Sequence, residues 1–129
     1  MELELEGQRV TQESVDFAVS LRTDAGYEVR IETDFSMHTP NGDFDFSLGT
    51  SSLEPDKFPS LLQHTVTSSV AEKSGGMVLG FDDGASLRVE PHEEYEAWTI
   101  AGPHGKKIVC MPGGEVAVWA DGEDTGGDS

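Results

Sequence analysis

The stretch WTIAGPHGKKIVCMPGGEVAVW, residues 98–119, is where the fold becomes legible. Its apolar residues fall into three short runs separated by Gly102-Pro103-His104-Gly105 and Pro112-Gly113-Gly114. Short apolar runs broken by Gly- and Pro-rich turns read as consecutive antiparallel strands, a β-meander. The same grammar extends upstream. Val15, Phe17, Val19 and Leu21 alternate with polar residues and read as one half-buried strand, Asp24-Ala25-Gly26 as a turn, and Tyr27, Val29 and Ile31 as the return strand. Pro40-Asn41-Gly42 is a strong hairpin signal before Phe44, Phe46 and Leu48. Between Phe35 and Thr33 the strand either continues or bends near Asp34.

Only one segment changes period. Phe58, Leu61 and Leu62 are spaced i, i+3, i+4, which predicts a short connecting helix over residues 54–62 with its two prolines near the start. After it, Met77, Leu79 and Phe81 resume the alternation, Asp82-Asp83-Gly84 turns it, and Leu87 and Val89 return. Residues 1–9 are charged and mixed, with Leu3 and Leu5 alternating with glutamates in a pattern that allows a short edge strand.

Overlaying the two halves uncovers a repeat. Val10-Thr11 corresponds to Val66-Thr67, and Leu21, Asp24, Gly26, Arg30 and Glu32 to Leu79, Asp82, Gly84, Arg88 and Glu90. Phe35, Met37, Pro40 and Gly42 fall on Trp98, Ile100, Pro103 and Gly105 if the acidic loop at Pro91 is an insertion. The expected fold is therefore mainly β: two similar antiparallel meanders, about residues 9–49 and 64–120, related by a pseudo-two-fold axis. Each would leave one apolar face bare, so the halves must close on each other as a barrel or a sandwich. Residues 1–120 form one domain in this scheme, and 121–129, with no apolar side chain, form a disordered acidic tail.

The chain has 129 residues, enough for one core without staples, and its single cysteine rules out an internal disulfide. The opening MELELEGQ has neither a basic nor an apolar leader pattern, so the expected location is cytoplasmic, without membrane insertion. The formal net charge of -17, from 25 acidic and 8 basic residues, repels nucleic acid and favours encounter with basic partners.

The segments DDGASLRVEP, YEAW, GPHG and PGGEVAVW resemble a family of small, uncharacterised actinobacterial proteins, a domain of unknown function. The resemblance covers roughly residues 7 to 120 and rests on Asp83-Gly84, Tyr95-Glu96-Ala97-Trp98, Gly102-Pro103, Pro112-Gly113-Gly114-Glu115 and Trp119. It implies a small soluble cytoplasmic bacterial protein and assigns no catalytic residue.

No residue set in the sequence points to catalysis, a cofactor or a metal. His38, His64, His92 and His104 lack paired ligand spacing, and Cys110 shares a face with Ile108, as a buried, inert thiol would. His92-Glu93-Glu94 reads as a solvated loop, and the glycine pairs 75–76 and 113–114 as turns. Arg30 and Arg88 read as ion-pair partners of nearby glutamates, with a shared anion site on the axis as the sharper alternative. Trp98 reads as core because its repeat mate Phe35 is aromatic.

Tyr95 and Trp119, with Glu93 and Glu94, are the candidate partner-binding residues, because rigid aromatics beside acidic loops suit a basic protein. The leading expectation is a non-enzymatic, inhibitor- or immunity-like binding module. A ligand-binding barrel with its site at the seam between the repeats is one alternative. A structural homodimer, paired through an edge such as residues 115–119, is the other.

Overall fold

The computed structural model describes residues 1–48 and 58–119. It contains eleven described strands: β1 (Val10–Val15), β2 (Val19–Thr23), β3 (Glu28–Ile31), β4 (Phe35–Thr39), β5 (Gly42–Phe46), β6 (Val66–Ala71), β7 (Met77–Phe81), β8 (Ser86–Val89), β9 (Trp98–Ala101), β10 (Lys107–Cys110) and β11 (Val116–Trp119). All pairings are antiparallel. One sheet runs β1-β2-β3-β9-β10-β11 and the other β5-β4-β8-β7-β6. Both sheets are open, so of the two expected closures the chain adopts the sandwich.

The alternation works as the pleat requires, placing every second side chain between the sheets. In β2, Val19, Leu21 and Thr23 are buried; in β7, Met77, Leu79 and Phe81. With Val29, Ile31, Met37, Leu87, Trp98 and Ile100, the apolar residues among these form one continuous core. Fully burying a Leu, Ile or Val side chain contributes about 1.5–3 kcal/mol each. These side chains fill the space between the sheets, and with both sheets open the closed barrel of the ligand-binding alternative does not form.

The repeat is visible as topology. In each half the first three strands form a meander in one sheet, and the chain then crosses to the other sheet. There its fourth strand pairs with the third strand of the opposite half: β9 with β3 and β4 with β8. The registers match mate for mate, Ile31 opposite Trp98 and Val89 opposite Phe35. The register shift between Val10 and Gln12 recurs between Val66 and Ser68. Both Asp-x-Gly turns are built alike. The Gly26 and Gly84 amides donate to the Thr23 and Phe81 carbonyls at 3.1 Å, and both glycines have positive φ, 86° and 87°.

The correspondence reaches back beyond Val10 and Val66. Arg9 and Thr65, mates of each other, form a β-bridge, which places that pair on the pseudo-two-fold axis. Around it the Gly7 and Val66 amides donate to Val66 and Gln8 carbonyls, while the Gln63 and Val10 amides donate to Val10 and His64 carbonyls. Leu5 and Leu61, the next mates, are each 0% exposed. Leu3 is buried too, and Met1 and Leu3 bond with Ala71 and Ser69 along β6. The charged, mixed N-terminal segment therefore covers the β6 edge.

Two local expectations need correction. Val15 to Arg22 is not one strand: the Asp16 amide donates to the Ala18 carbonyl, Val15 pairs with Val19, and Phe17 stands 60% exposed at the hairpin tip. Alternation continued through the turn because a three-residue loop preserves the parity of the flanking strands. Residues 54–57 of the expected helix lie outside the described residues, and residues 58–63 are not helical, with a bend at Phe58 and a turn at Leu62 and Gln63. Phe58 and Leu61 are buried there, whereas Leu62 is 41% exposed.

Candidate functional site

The two crossings between sheets meet at one place. In the first half residues 32–34 carry the chain across; in the second, residues 90–97 do so, longer by the acidic insertion. The Glu32 amide donates to the Ala97 carbonyl at 3.0 Å, tying one crossing to the other. The insertion is anchored as well. The His92 carbonyl accepts from the Gly113 amide at 2.9 Å, and the His92 Nδ1 accepts from the Glu94 amide at 2.9 Å. The Tyr95 ring lies against the His92 ring, centroids 4.8 Å apart.

Between the crossings is a surface cleft of about 320 Å³, lined by Glu32, Thr33, Asp34 and Leu48 from one half and Glu90, Pro91, His92 and Tyr95 from the other. Three carboxylates border it and no lysine or arginine does. Glu32 is paired with Arg30 at 3.1 Å and Glu90 with Arg88 at 3.3 Å. Arg88 is held more closely by Glu72, whose two oxygens accept from both its terminal nitrogens at 2.7 and 3.2 Å. These contacts, the Glu72 hydrogen bond foremost, raise the Arg88 guanidinium above its ordinary value. Asp34 accepts from the Leu48 amide at 2.9 Å and has no cationic partner among the described residues.

Of the sequence-nominated residues, Glu93, Glu94 and Tyr95 stand together, exposed, on the insertion beside this cleft. Trp119 does not join them. It pairs with Lys107, which pairs with Ala101, at the opposite end of the strands from the Tyr95 side of Trp98. Its ring is 50% exposed, with the Lys107 ammonium 6.0 Å from its centroid. Arg30 and Arg88 lie on strands of different sheets, each occupied by glutamates, and share no partner among the described residues.

Trp98 is 0% exposed, its indole N–H donating to the Gly75 carbonyl at 2.9 Å. Cys110 is fully buried, and burial raises its thiol above the ordinary value. The histidines lie apart. His38 pairs with Asp43, His104 occupies the turn after β9, and His92 belongs to the insertion.

Sequence reading missed one constellation. The His64 Nδ1–H donates to Asp82 at 2.8 Å, and its Nε2 faces Asp83 at 3.6 Å. The Asp82 carboxyl is held below its ordinary value, chiefly by that hydrogen bond. Ligand atoms of the three residues lie within 4.8 Å of one another, so they are the described group able to meet a metal ion. Each ring nitrogen already faces a carboxylate, which makes the arrangement a charge clamp around the imidazole rather than an open coordination sphere. The repeat held the signal, since it sets His64 in the position of Gln8, whose Oε1 accepts from Thr23 beside the first Asp-x-Gly turn.

Residues 1–120 match the model of a family of unknown function (DUF6188). The chain belongs to that family. Comparison with curated proteins gave no match, nor did comparison with solved structures. Membership in DUF6188 agrees with the expectation of a domain of unknown function and assigns no role to the cleft. Among the described residues, no helix is long and apolar enough to cross a membrane.

Proposed function

We propose that this member of the family is a non-enzymatic binding module that engages a basic protein partner through its acidic surface. One observation carries the proposal: Glu32, Asp34, Glu90, Glu93 and Glu94 surround the exposed Tyr95 where the two halves cross, and no lysine or arginine lines the cleft among them. A surface of this kind steers a cationic partner over long range and gives it a rigid ring to pack against. The net charge of -17 supports the same partner chemistry. A non-enzymatic reading is supported by the burial of Cys110 and by the four histidines sitting in four separate environments.

The test is capture on immobilised protein at about 20 mM salt, followed by elution at about 300 mM, where charge attraction is screened over a much shorter distance. Proteins released by salt should be basic, and the variant with E93Q, E94Q and Y95A together should retain less of them. Elution of no basic protein, or equal capture by the triple variant, sinks the proposal.

A further inference from the structure

The four outer strands of the sandwich differ in how their edges are finished. β6 is covered by the N-terminal segment, whose Met1 and Leu3 bond along it. β1 carries Glu13 and a register shift, and its Val10 bonds with residues 63 and 64. β5 carries Asp43 and Asp45. Covering, charge and irregular register are the means by which a sheet edge avoids further pairing. Among the described residues β11 has none of them. It reads Val-Ala-Val-Trp, pairs with β10 without a register shift, and leaves Val118 51% and Trp119 50% exposed.

The ladder fixes which groups this edge offers. The Met111 amide donates to the Glu115 carbonyl, so the next bonded pairs are Val109 with Ala117 and Lys107 with Trp119. The amides and carbonyls of Val116 and Val118 then point away from β10, and no described backbone group meets them. Val118 shares a face with the core residue Ile108 and is nonetheless half bare, which fits the sixth strand of a sheet packed against five described strands.

We propose that β11 pairs antiparallel with β11 of a second copy, about a two-fold axis at Ala117, so that two six-stranded sheets become one. In that register Val116 and the partner's Val118 exchange two main-chain hydrogen bonds, as do Val118 and the partner's Val116. Residues directly opposite share a face, so the valines of both copies close over one another on the core side. On the outer side Glu115 comes opposite the partner's Trp119. Within each chain the Lys107 ammonium lies 6.0 Å from the Trp119 centroid, so each Glu115 carboxylate meets the cation held beside the other copy's indole. Charge complementarity at both ends of the strand is what commits the edge to a second copy. Val116–Trp119 also places no carboxylate in the contact, which two chains of net charge -17 require in order to approach.

The test is sedimentation velocity of the full chain from about 1 to 200 µM, at about 20 and 300 mM sodium chloride. A concentration-dependent dimer is expected, with more of it at the higher salt, where repulsion between the acidic chains is screened. V118P removes an outward N–H and leaves the β10 ladder intact, so it should raise the dimer dissociation constant at least about thirtyfold while keeping the circular dichroism of the parent. V118K should do the same by placing a charge on the edge. E115K should weaken the dimer about fivefold, and E115K combined with K107E should recover it to within about twofold of the parent. Opposite residues of a pair without hydrogen bonds have Cα atoms about 4.5 Å apart, within disulfide range. A117C should therefore oxidise to a covalent dimer, whereas E115C should not.

A V118P or V118K chain that dimerises like the parent, or cross-linking of E115C in place of A117C, would overturn the inference. Monomer at every concentration and salt would leave the edge to a strand of another protein and overturn the second copy. The dimer and the basic partner respond to salt in opposite directions and fail separately. A monomer that still captures basic protein removes the dimer and leaves the module, and a dimer that captures none removes the module and leaves the dimer.

Discussion

Gly75 and Gly114 meet backbone to backbone: a Cβ on Gly75 would lie 2.2 Å from the Gly114 carbonyl oxygen, and a Cβ on Gly114 would lie 2.2 Å from the Ser74 oxygen. The turn after β6 thereby packs on the turn before β11, and the Gly75 carbonyl is left aimed at the Trp98 indole. Both glycines also have positive φ, 100° and 103°. G75A and G114A should each destabilise by about 3 kcal/mol, from backbone conformation and collision together. G113A is the control, because its φ of 89° is strained for alanine but its Cβ would meet nothing within 4 Å. It should cost about 1 kcal/mol in urea unfolding. Equal costs at all three sites would show that the close approach is not what these glycines are for.

Leu5 and Leu61 occupy equivalent places beside the Arg9–Thr65 bridge. The Leu5 amide donates to Ser69 Oγ and the Leu61 amide to Glu13 Oε1, and Ser69 and Glu13 are themselves mates. L5A and L61A should therefore lose similar stability, about 2–5 kcal/mol each by denaturant unfolding. A negligible loss for L5A alone would mean that the N-terminal segment is not part of the cooperative unit.

The clamp around His64 has a pH signature. Because the Asp82 carboxyl sits below its ordinary value of 3.8, the folded state binds this proton less readily than the unfolded chain. Its contribution to stability is present above pH 3.8 and is lost as pH falls through the lower folded value. H64Q, which copies Gln8 of the other half, should move the Asp82 pKa back toward 3.8 in a carboxyl-carbon NMR titration. An unmoved Asp82 would show that the histidine is not the cause.

Cys110 should behave oppositely, at the alkaline end. Burial raises its thiol above the ordinary 9.0, so the folded protein loses stability as pH rises above that value and the unfolded thiol ionises first. At pH 8 the native thiol should react with an aromatic disulfide at least about a hundredfold more slowly than in denaturant. Comparable rates in the two conditions would place the sulfur at the surface.

Most strands and the repeat were readable in the residues because each is written locally, whereas the choice between barrel and sandwich was left to the open sheets. Leu21 and Leu79 announce their facing by parity, and Gly26 and Gly84 announce their turns by the positive φ they permit. β1 and β6 were harder to see. They are polar strands, with only Val10 buried in β1, because each forms the outer member of its meander. The tip at Phe17 was misread for a related reason, since parity alone cannot tell a continuing strand from a turn that conserves it.

Outside the β1–β2 hairpin tip at Phe17, the amino-acid sequence by itself determined which strand side chains face inward, where the chain reverses, and that one set of hairpins is used twice. Those properties depend on neighbours a few residues apart. Tertiary structure alone decided that β3 pairs with β9 and β8 with β4, that Leu3 and Leu5 seal the β6 edge, and that Asp34 and Tyr95 line one cleft. Pairing between segments some sixty residues apart is settled by which apolar faces pack best together, and side-chain periodicity records a residue's face without recording its partner.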